Sequence, residues 1–334
     1  MNFFYLGIDH KRASLDKREE AYRQRGEINF FCRHSLADAA VLFTCNRVEI
    51  YGAADNKLSA SREISLLRER FPGLFGAAYV KDNTIGTLRH ALRLASGLQS
   101  QLVGESEILK QLSSWLIREL GSSHLGSFWG EVISAAEWIR ARSGLDRDSS
   151  NIADIILDDL GAKKRIVVIG TGKIAALFAK SKIKGVEVIF VSRKKHKRAR
   201  RLAKKTGGAA ALMNDLQNVV LEADALISAT SSPHYVIGRD QILEIMRKRQ
   251  KDLHVFDLAV PRDIEPGARS VPGVVANDLD DLTANFDKQN IRLLPRIKKA
   301  ELLIEWKIKM FQKELWKDAF KSWYKTQPAG IKAG

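Results

Sequence analysis

The stretch "VVIGTGKIAALFAK", residues 167–180, decides the fold. An unbroken apolar run ends at Gly170, Gly172 and Ala175, spaced G-x-G-x-x-A, and an apolar-rich segment with helical spacing follows. Strand, tight turn and helix in that order make the first half of a βαβ unit. The rest lies close by, because "KKRIVVIGTGKIAALFAKSKIKGVEVIFVSRKKHKRARRLAKK" adds a second strand and a second helix within about 40 residues, the pattern of a parallel sheet. Further strands read from "DALISATSS" (224–232) and "LHVFDLAV" (253–260), with helical connections such as "RDQILEIMRKRQ" (239–250). A turn of this kind brings a pyrophosphate against backbone N–H groups at the start of a helix. Gly170, Thr171, Gly172, Lys173, Ile174 and Ala175 are therefore the candidate dinucleotide turn; the alternative is a glycine turn in some other α/β domain.

The end of the second strand bears on which dinucleotide. A site for NAD usually places Asp or Glu about 20 residues past the first glycine to bind the ribose 2′-hydroxyl. Here the chain reads "VSRKKHKR", with Ser192, Arg193 and Lys194 and no carboxylate. The expected cofactor is NADPH, with Arg193 on its 2′-phosphate, and the later cations of the run read as a solvated helix face.

Before this region the pattern differs. "FFYLGID" (3–9), "AAVLFTC" (39–45) and "VEIYGAA" (48–54) are strand candidates. "SREISLLRERF" (61–71), "GTLRHALRLASGL" (86–98) and "ESEILKQLSSWLIREL" (105–120) have helical spacing, with Gly97 and Gly104 as punctuation. From about residue 285 the pattern is helical to the end. Leu302, Leu303, Trp306, Ile308, Phe311 and Leu315 fall on one broad face that must dock on another domain or chain. The expected class is α/β: a catalytic α/β domain over residues 1–145, a Rossmann-type domain over 146–284 and a long C-terminal helical segment over 285–334.

Lys and Arg number 55 against 39 Asp and Glu, a formal charge of +16, which favours a polyanionic partner such as RNA or else a solvated basic surface. The 2 cysteines make no disulfide framework and no metal-ligand spacing. The opening "MNFFYLGIDHKRAS" is broken by Asp9, His10 and Lys11 and fits neither a signal peptide nor a membrane span, so a cytoplasmic protein is expected.

Cys45 closes an apolar run in "FTCNRVEIY" (43–51). A thiol at a strand end is commonly inert packing. Its neighbours favour chemistry: Arg47 would lie on the same side if the backbone stays extended, where its charge would lower the thiol pKa and could clamp a carboxylate. Thr44 and Asn46 add hydrogen-bonding groups, whereas Cys32 in "NFFCRHS" has aromatic company and reads as structural. A thiolate nucleophile together with a hydride source implies capture of an activated acyl group as a thioester and its reduction to an aldehyde, and a basic protein could take that acyl group from a charged RNA.

"GIDHKRAS" (7–14), "FTCNRVEIYG" (43–52), "LRLASGLQSQLVGESEIL" (92–109), "VVIGTGKIA" (167–175), and "DLAVPRDIEP" (257–266) followed by "NDLDDL" (277–282) occur in the order and near the spacing of one enzyme family. On these motifs the chain, from about residue 5 to 285, resembles the glutamyl-tRNA reductases, NADPH-dependent enzymes of tetrapyrrole biosynthesis. The resemblance implies that Cys45 attacks glutamyl-tRNA(Glu), that Arg47 grips the glutamate carboxylate, and that His90 lies near the reaction centre. It implies a glutamate pocket lined by Thr44, Asn46, Ser100, Glu105, Ser106, Glu107 and Gln111, with Glu105 receiving the α-ammonium and "IDHKRAS" supporting the rim. It also implies release of glutamate-1-semialdehyde, hand-over to glutamate-1-semialdehyde aminomutase, and a homodimer. His90 read alone would be a histidine capping or packing within a helix.

The chain departs from the family pattern at Glu107, where Gln is common, and at Lys110, where Gly is common. "RSGLDRDSSNIADIILDDL" (142–160) is shorter and more acidic than usual, and only about half of the expected helical dimerisation domain follows "NDLDDL". Two other functions fit parts of the pattern. An NADP-dependent reductase of a free small carbonyl compound needs no tRNA and has no use for Cys45 and Arg47 together. A catalytically silent tRNA-binding paralogue would tolerate Cys45→Ser.

Overall fold

The computed structural model describes residues 1–121, 123–147, 151–161, 164–181, 185–193 and 196–326. Its first sheet begins with β1 (Asn2–Asp9), after which α1 (Leu15–Arg23) and α2 (Arg25–Ser35) lead into β2 (Ala39–Thr44) and β3 (Arg47–Ala54). Next come α3 (Lys57–Arg70), α4 (Pro72–Phe75) and β4 (Tyr79–Lys81). The antiparallel order is β2-β3-β1-β4, so β2 is an edge and β3 lies inside. Helices cover both faces, and β3 is buried along its whole length. Its alternation sorts the side chains: Val48 and Ile50 join the core under α1 to α4, while Glu49 and Tyr51 point the other way. That second face is closed by α5 (Thr84–Ala95), α6 (Glu107–Trp115), which runs into a π-helical turn at Leu116–Leu120, and α7 (His124–Ser143). Asn83 caps α5 by accepting from the Gly86 N–H at 2.8 Å, a contact that fixes where the helix carrying His90 begins.

Past α8 (Ile152–Leu160) lies a second sheet, all parallel. Its elements in chain order are β5 (Arg165–Ile169), α9 (Lys173–Phe178), β6 (Glu187–Ser192), α10 (His196–Thr206), β7 (Ala209–Leu212), α11 (Leu216–Leu221), β8 (Ala225–Ser228), α12 (Arg239–Arg247), β9 (Leu253–Asp257) and β10 (Val274–Asp278). The spatial order β10-β9-β8-β5-β6-β7 makes the chain run outward from β5 to one edge and return to build the other half. The crevice where that direction reverses, between the carboxyl ends of β5 and β8, is where such sheets bind ligands. Buried Asp263 fixes the end of β8, accepting from the Ser228 hydroxyl at 2.8 Å and the Thr230 N–H at 2.7 Å.

The expected long C-terminal helix is α14 (Leu294–Thr326), with Pro295 in its first turn, and a shorter helix, α13 (Thr283–Arg292), precedes it. α14 docks on the first half of the chain through Ala300, Ile304 and Ile308, which join the core beside α5 and α7. Arg89 grips Glu305 with two bonds of 2.7 and 3.0 Å, and Arg93 pairs with Glu301 at 2.9 Å. Of the expected stripe, Leu303, Ile308 and Phe311 meet the first half of the chain, while Leu302 and Trp306 lie at or beyond the margin of that contact. Leu302 is 73% exposed, and Trp306, 46% exposed, stacks on Trp138 at the edge of the contact. The covered face is the row 300, 304, 308, because helical neighbours recur every three or four residues and Ala300 allows close approach. The side chain of Leu315 lies outside the described residues.

α1 ties the two halves together. Arg262 donates to Glu19 from its backbone at 2.6 Å and from its guanidinium at 2.8 and 3.0 Å, and it also pairs with Asp16. Arg18 pairs with Asp280, just past β10.

Candidate active site

The site grows out of the connection between β2 and β3. Thr44 and Arg47 face each other across the antiparallel pair, which leaves Cys45 and Asn46 as a two-residue hairpin turn. The backbone does not stay extended here, and the expectation that Cys45 and Arg47 share one side of a strand is corrected. Cys45 is exposed at the turn, whereas Arg47 sits on β3 at 1% exposure. Its terminal nitrogens donate to Glu49 at 2.7 Å and to the Gln99 carbonyl.

Glu49 is the hub beneath the turn. Its carboxylate, with no exposed surface, accepts from Arg47, from the Tyr51 hydroxyl at 2.5 Å, from the Tyr79 hydroxyl and from His90 Nε2 at 3.0 Å. Burial alone would raise the Glu49 carboxyl; the charges of His90 and Arg47 and the hydrogen bonds outweigh it and hold the group well below the usual carboxylate range. His90 is itself buried on α5 and stacks on Tyr5 with centroids 4.0 Å apart. The structure thus places His90 beside Glu49.

Above the hub, polar atoms crowd the turn. The Cys45 carbonyl accepts from Arg18 Nη1 at 2.7 Å, the Asn46 carbonyl from the His10 N–H at 2.9 Å, and the Thr44 hydroxyl from the Asn46 N–H at 3.2 Å. Asn46 Oδ1, His10 Nδ1 and Arg18 Nε are buried with no hydrogen-bond partner among the described residues. Buried polar atoms are normally satisfied, so three orphans around one exposed thiol mark a place built for a polar ligand.

The thiol does not follow the expected shift. Protein packs closely around the exposed turn, and this desolvation, with the charge of Glu105 adding to it, pushes Cys45 up to about 11 against the opposing pull of Arg18 and Arg47. Buried Cys32 is pushed up to about 12 and packs in the core below α3. Alkylation of Cys45 by iodoacetamide in the free protein should keep rising about tenfold per pH unit up to about pH 10, past the 8.5 or so of an ordinary thiol. Glu105→Gln should move the curve to lower pH. Mass spectrometry of the Cys45 peptide measures both, and a plateau below about pH 9 in the unsubstituted protein would contradict the raised thiol pKa.

The loop 96–105 carries the next group of expected residues, and buried Arg140 on α7 shapes it. Arg140 donates to the carbonyls of Ser96 at 3.0 Å, Gly104 at 2.9 Å and Glu105 at 3.2 Å, and pairs with Asp146 at 2.8 Å. Gly97 has φ +80, and a Cβ there would stand 2.9 Å from Arg140 Nη1, so the loop needs glycine for its backbone and for the arginine. The Glu105 carboxyl on this loop is raised above its ordinary range chiefly by burial, against the lowering influence of Ser100. Thr44 and Asn46 flank Cys45, and the charges of Arg47 and Glu105 act on its thiol.

Glu107 and Gln111 lie further out on α6, and Ser106 stands just before its first residue. The Ser106 hydroxyl accepts from Lys110 Nζ at 3.4 Å, and Glu107 pairs with Lys110 at 2.7 Å and with Lys173 at 3.6 Å. Burial opposes it, but those two cations hold the Glu107 carboxyl below its ordinary range. Gln111 lines a cavity of about 330 Å³ with Arg25, Phe43, Trp115, Arg118 and Lys173.

Lys173 also belongs to a larger cavity of about 590 Å³, at the carboxyl ends of β5 and β8. Gly170, Thr171, Gly172, Lys173, Ile174, Ser192 and Arg193 line it. Ala175 does not; it is buried below and lets α9 approach the sheet. Lys194 lies outside the described residues. Gly170 has φ +110, and a Cβ there would meet the Ala229 carbonyl at 2.6 Å, whereas Gly172 opens onto free space. The Ser192 hydroxyl is buried without a partner among the described residues. An open glycine turn, an orphaned hydroxyl and a guanidinium at the end of β6 fit a dinucleotide with phosphate at both places. Among the described residues no group of side chains could hold a metal ion, and no helix is long and apolar enough to cross a membrane.

Several contributors were not singled out from the sequence. Arg18 and Glu49 act through contacts that only the folded sheet creates. Arg198 and the segment Ala229 to Ser231 join the dinucleotide cavity, and the exceptional density of cations in "RKKHKRARR" was the available sign of Arg198.

Comparison with known proteins matches residues 6–140 to the family model described as glutamyl-tRNAGlu reductase, N-terminal domain, and residues 151–284 to that of shikimate / quinate 5-dehydrogenase. The glutamyl-tRNA reductase of Methanococcoides burtonii is 30% identical over 96% of this chain and 76% of its own. That of Archaeoglobus fulgidus is 32% identical over 90% of this chain and 70% of its own. Among solved structures, the glutamyl-tRNA reductase from Methanopyrus kandleri is 28% identical, covering 94% of this chain and 80% of that one, with a TM-score of 0.48.

Proposed function

The chain belongs to the glutamyl-tRNA reductase family, an oxidoreductase family, and from that premise we propose that it reduces glutamyl-tRNA(Glu) to glutamate-1-semialdehyde with NADPH through a thioester on Cys45. The observation that carries the reading is the exposed thiol at the β2–β3 turn, ringed by the orphaned polar atoms of Asn46, His10 and Arg18. In this reading residues 1–145 form the catalytic domain, 146–284 the nucleotide domain and 285–334 a helical segment.

The substrate completes the site electrically. Glu105 receives the α-ammonium of the glutamyl group, which neutralises the charge that helps to keep Cys45 protonated; Arg18 and Arg47 then favour the thiolate. Arg47 has five N–H donors and uses two on Glu49 and Gln99, so others remain for the substrate carboxylate. The Cys45 sulfur attacks the ester carbon, the bond to the terminal ribose oxygen breaks, and that oxygen leaves with a proton as the tRNA hydroxyl. His90, held by Glu49, is the group we assign to moving protons near this centre. Gly170, Thr171, Gly172, Lys173 and Ile174 would hold the dinucleotide, which would supply hydride when bound. Hydride and a proton delivered there would break the C–S bond of the thioester, giving the aldehyde and returning the Cys45 thiol.

Arg193 and Arg198 at the cavity, with no carboxylate in "VSRKKHKR", support NADPH over NADH. Arg193→Ala should raise KM for NADPH roughly 10- to 100-fold with a much smaller change for NADH; steady-state kinetics with both cofactors tests this, and equal effects on both would place the 2′-phosphate elsewhere. Hand-over of the aldehyde to glutamate-1-semialdehyde aminomutase belongs to the same proposal. So does a homodimer through the helical segment, supported by Leu302 and Met310 exposed on α14.

A further inference from the structure

α10 is charged beyond what the nucleotide cavity uses. It carries Lys197, Arg198, Arg200, Arg201, Lys204 and Lys205 with no acidic residue, and all six are exposed, while Ala199 and Ala203 pack against the sheet. Among the described residues none of those cations makes an ion pair. Elsewhere on the surface Arg33, Arg70, Arg89, Arg93, Arg165, Lys248 and Lys251 form such pairs, while Lys11, Arg23, Arg62 and Lys180 do not; what sets α10 apart is six unpaired cations on one helix. The arrangement works against the helix itself. Lys197 with Arg201, Arg200 with Lys204 and Arg201 with Lys205 are like charges four residues apart, and Lys197 and Arg198 stand at the positive end of the helix dipole. A local rule broken repeatedly on one solvent face points to a ligand that supplies the missing negative charge.

We propose that the outward face of α10 docks the phosphate backbone of the tRNA body, at a distance from the aminoacylated end; this rests on glutamyl-tRNA being the substrate. The exposed face presents only cations and no aliphatic or aromatic side chain that would enter a bilayer, which selects RNA over an anionic membrane. The position suits a long polyanion. Arg198 of the same helix lines the nucleotide cavity, Lys173 lies across that cavity, and Lys173 continues into the second cavity beside Arg25 and Arg118. Cations therefore recur from α10 toward the half of the chain that holds Cys45, with Glu107 and Glu119 set among them.

The test is the full chain carrying K197Q/R201Q/K204Q/K205Q, which leaves Arg193 and Arg198 in place. Removing like-charge pairs should leave thermal stability unchanged or slightly higher. Its Kd for tRNA(Glu) should rise roughly tenfold or more at about 0.1 M salt, and the slope of log Kd against log salt should shrink by about two to three. Reduction of a glutamylated acceptor-arm minihelix and the Kd for NADPH should stay as in the unsubstituted protein. The charge-conserving variant K197R/R201K/K204R/K205R should keep tRNA affinity. An unchanged Kd and salt slope for tRNA would overturn the surface, as would a loss confined to binding of phosphatidylserine vesicles. If tRNA binding falls as expected but the unsubstituted protein reduces no glutamyl-tRNA, the surface stands and the reductase reading fails.

Discussion

Cys45→Ser is expected to lower formation of glutamate-1-semialdehyde from glutamyl-tRNA by about three orders of magnitude or more, while the Kd for tRNA changes less than about twofold. The serine hydroxyl keeps the shape of the turn and the Arg18 contact with the carbonyl of residue 45, since that bond is made to the backbone. What it loses is the sulfur nucleophile that would hold the acyl group as a thioester, whose thiolate becomes more accessible once the substrate neutralises Glu105. Cys32→Ser, in the core, should affect stability rather than the chemical step. Single-turnover assays with glutamyl-tRNA and filter binding separate the two effects. Unchanged turnover by Cys45→Ser would instead favour a reductase that needs no thioester.

Glu49→Gln should destabilise the fold by about 3 to 5 kcal/mol, measured by denaturant unfolding. Glutamine leaves the buried Arg47 guanidinium without its counter-charge, and its NH₂ would face donors where the carboxylate now accepts from Tyr51, Tyr79 and His90. The pH dependence follows from the depressed carboxyl. The stability contributed by ionised Glu49 is fully present above its ordinary pKa of 4.5 and is lost as the pH falls toward the lower folded value. The Gln variant should therefore lack that part of the acid destabilisation. A loss below about 1 kcal/mol would mean that the hub is not closed to water.

The parts that local pattern governs were legible in the sequence. Apolar runs and the glycine spacing at 170 and 172 gave the parallel sheet, because close backbone approach leaves a compositional trace. The strand candidates of the first sheet emerge within a residue or so, but what joins them does not. The strand candidates 39–45 and 48–54 leave two residues between them, and only pairing reveals that the turn is shifted by one, with Cys45 and Asn46 at its tip and Arg47 on β3. Glu49 carries no local sign of its role, which depends on β3 being central and covered on both faces. Arg18 was hidden for another reason: its partner Asp280 is 262 residues away, and no local signal encodes such a contact. The thiol shift went against expectation because desolvation by the surrounding fold exceeds the pull of nearby arginines, and burial of that kind is a tertiary property.

The most direct measurement is to incubate the protein with [¹⁴C]glutamyl-tRNA(Glu) while NADPH is withheld, quench in acid and map the label by peptide mass spectrometry. The expected result is a glutamyl adduct on Cys45, released by added thiol and discharged to aldehyde when NADPH is supplied. Aldehyde formation on adding NADPH with no label on Cys45 at any time would contradict the thioester.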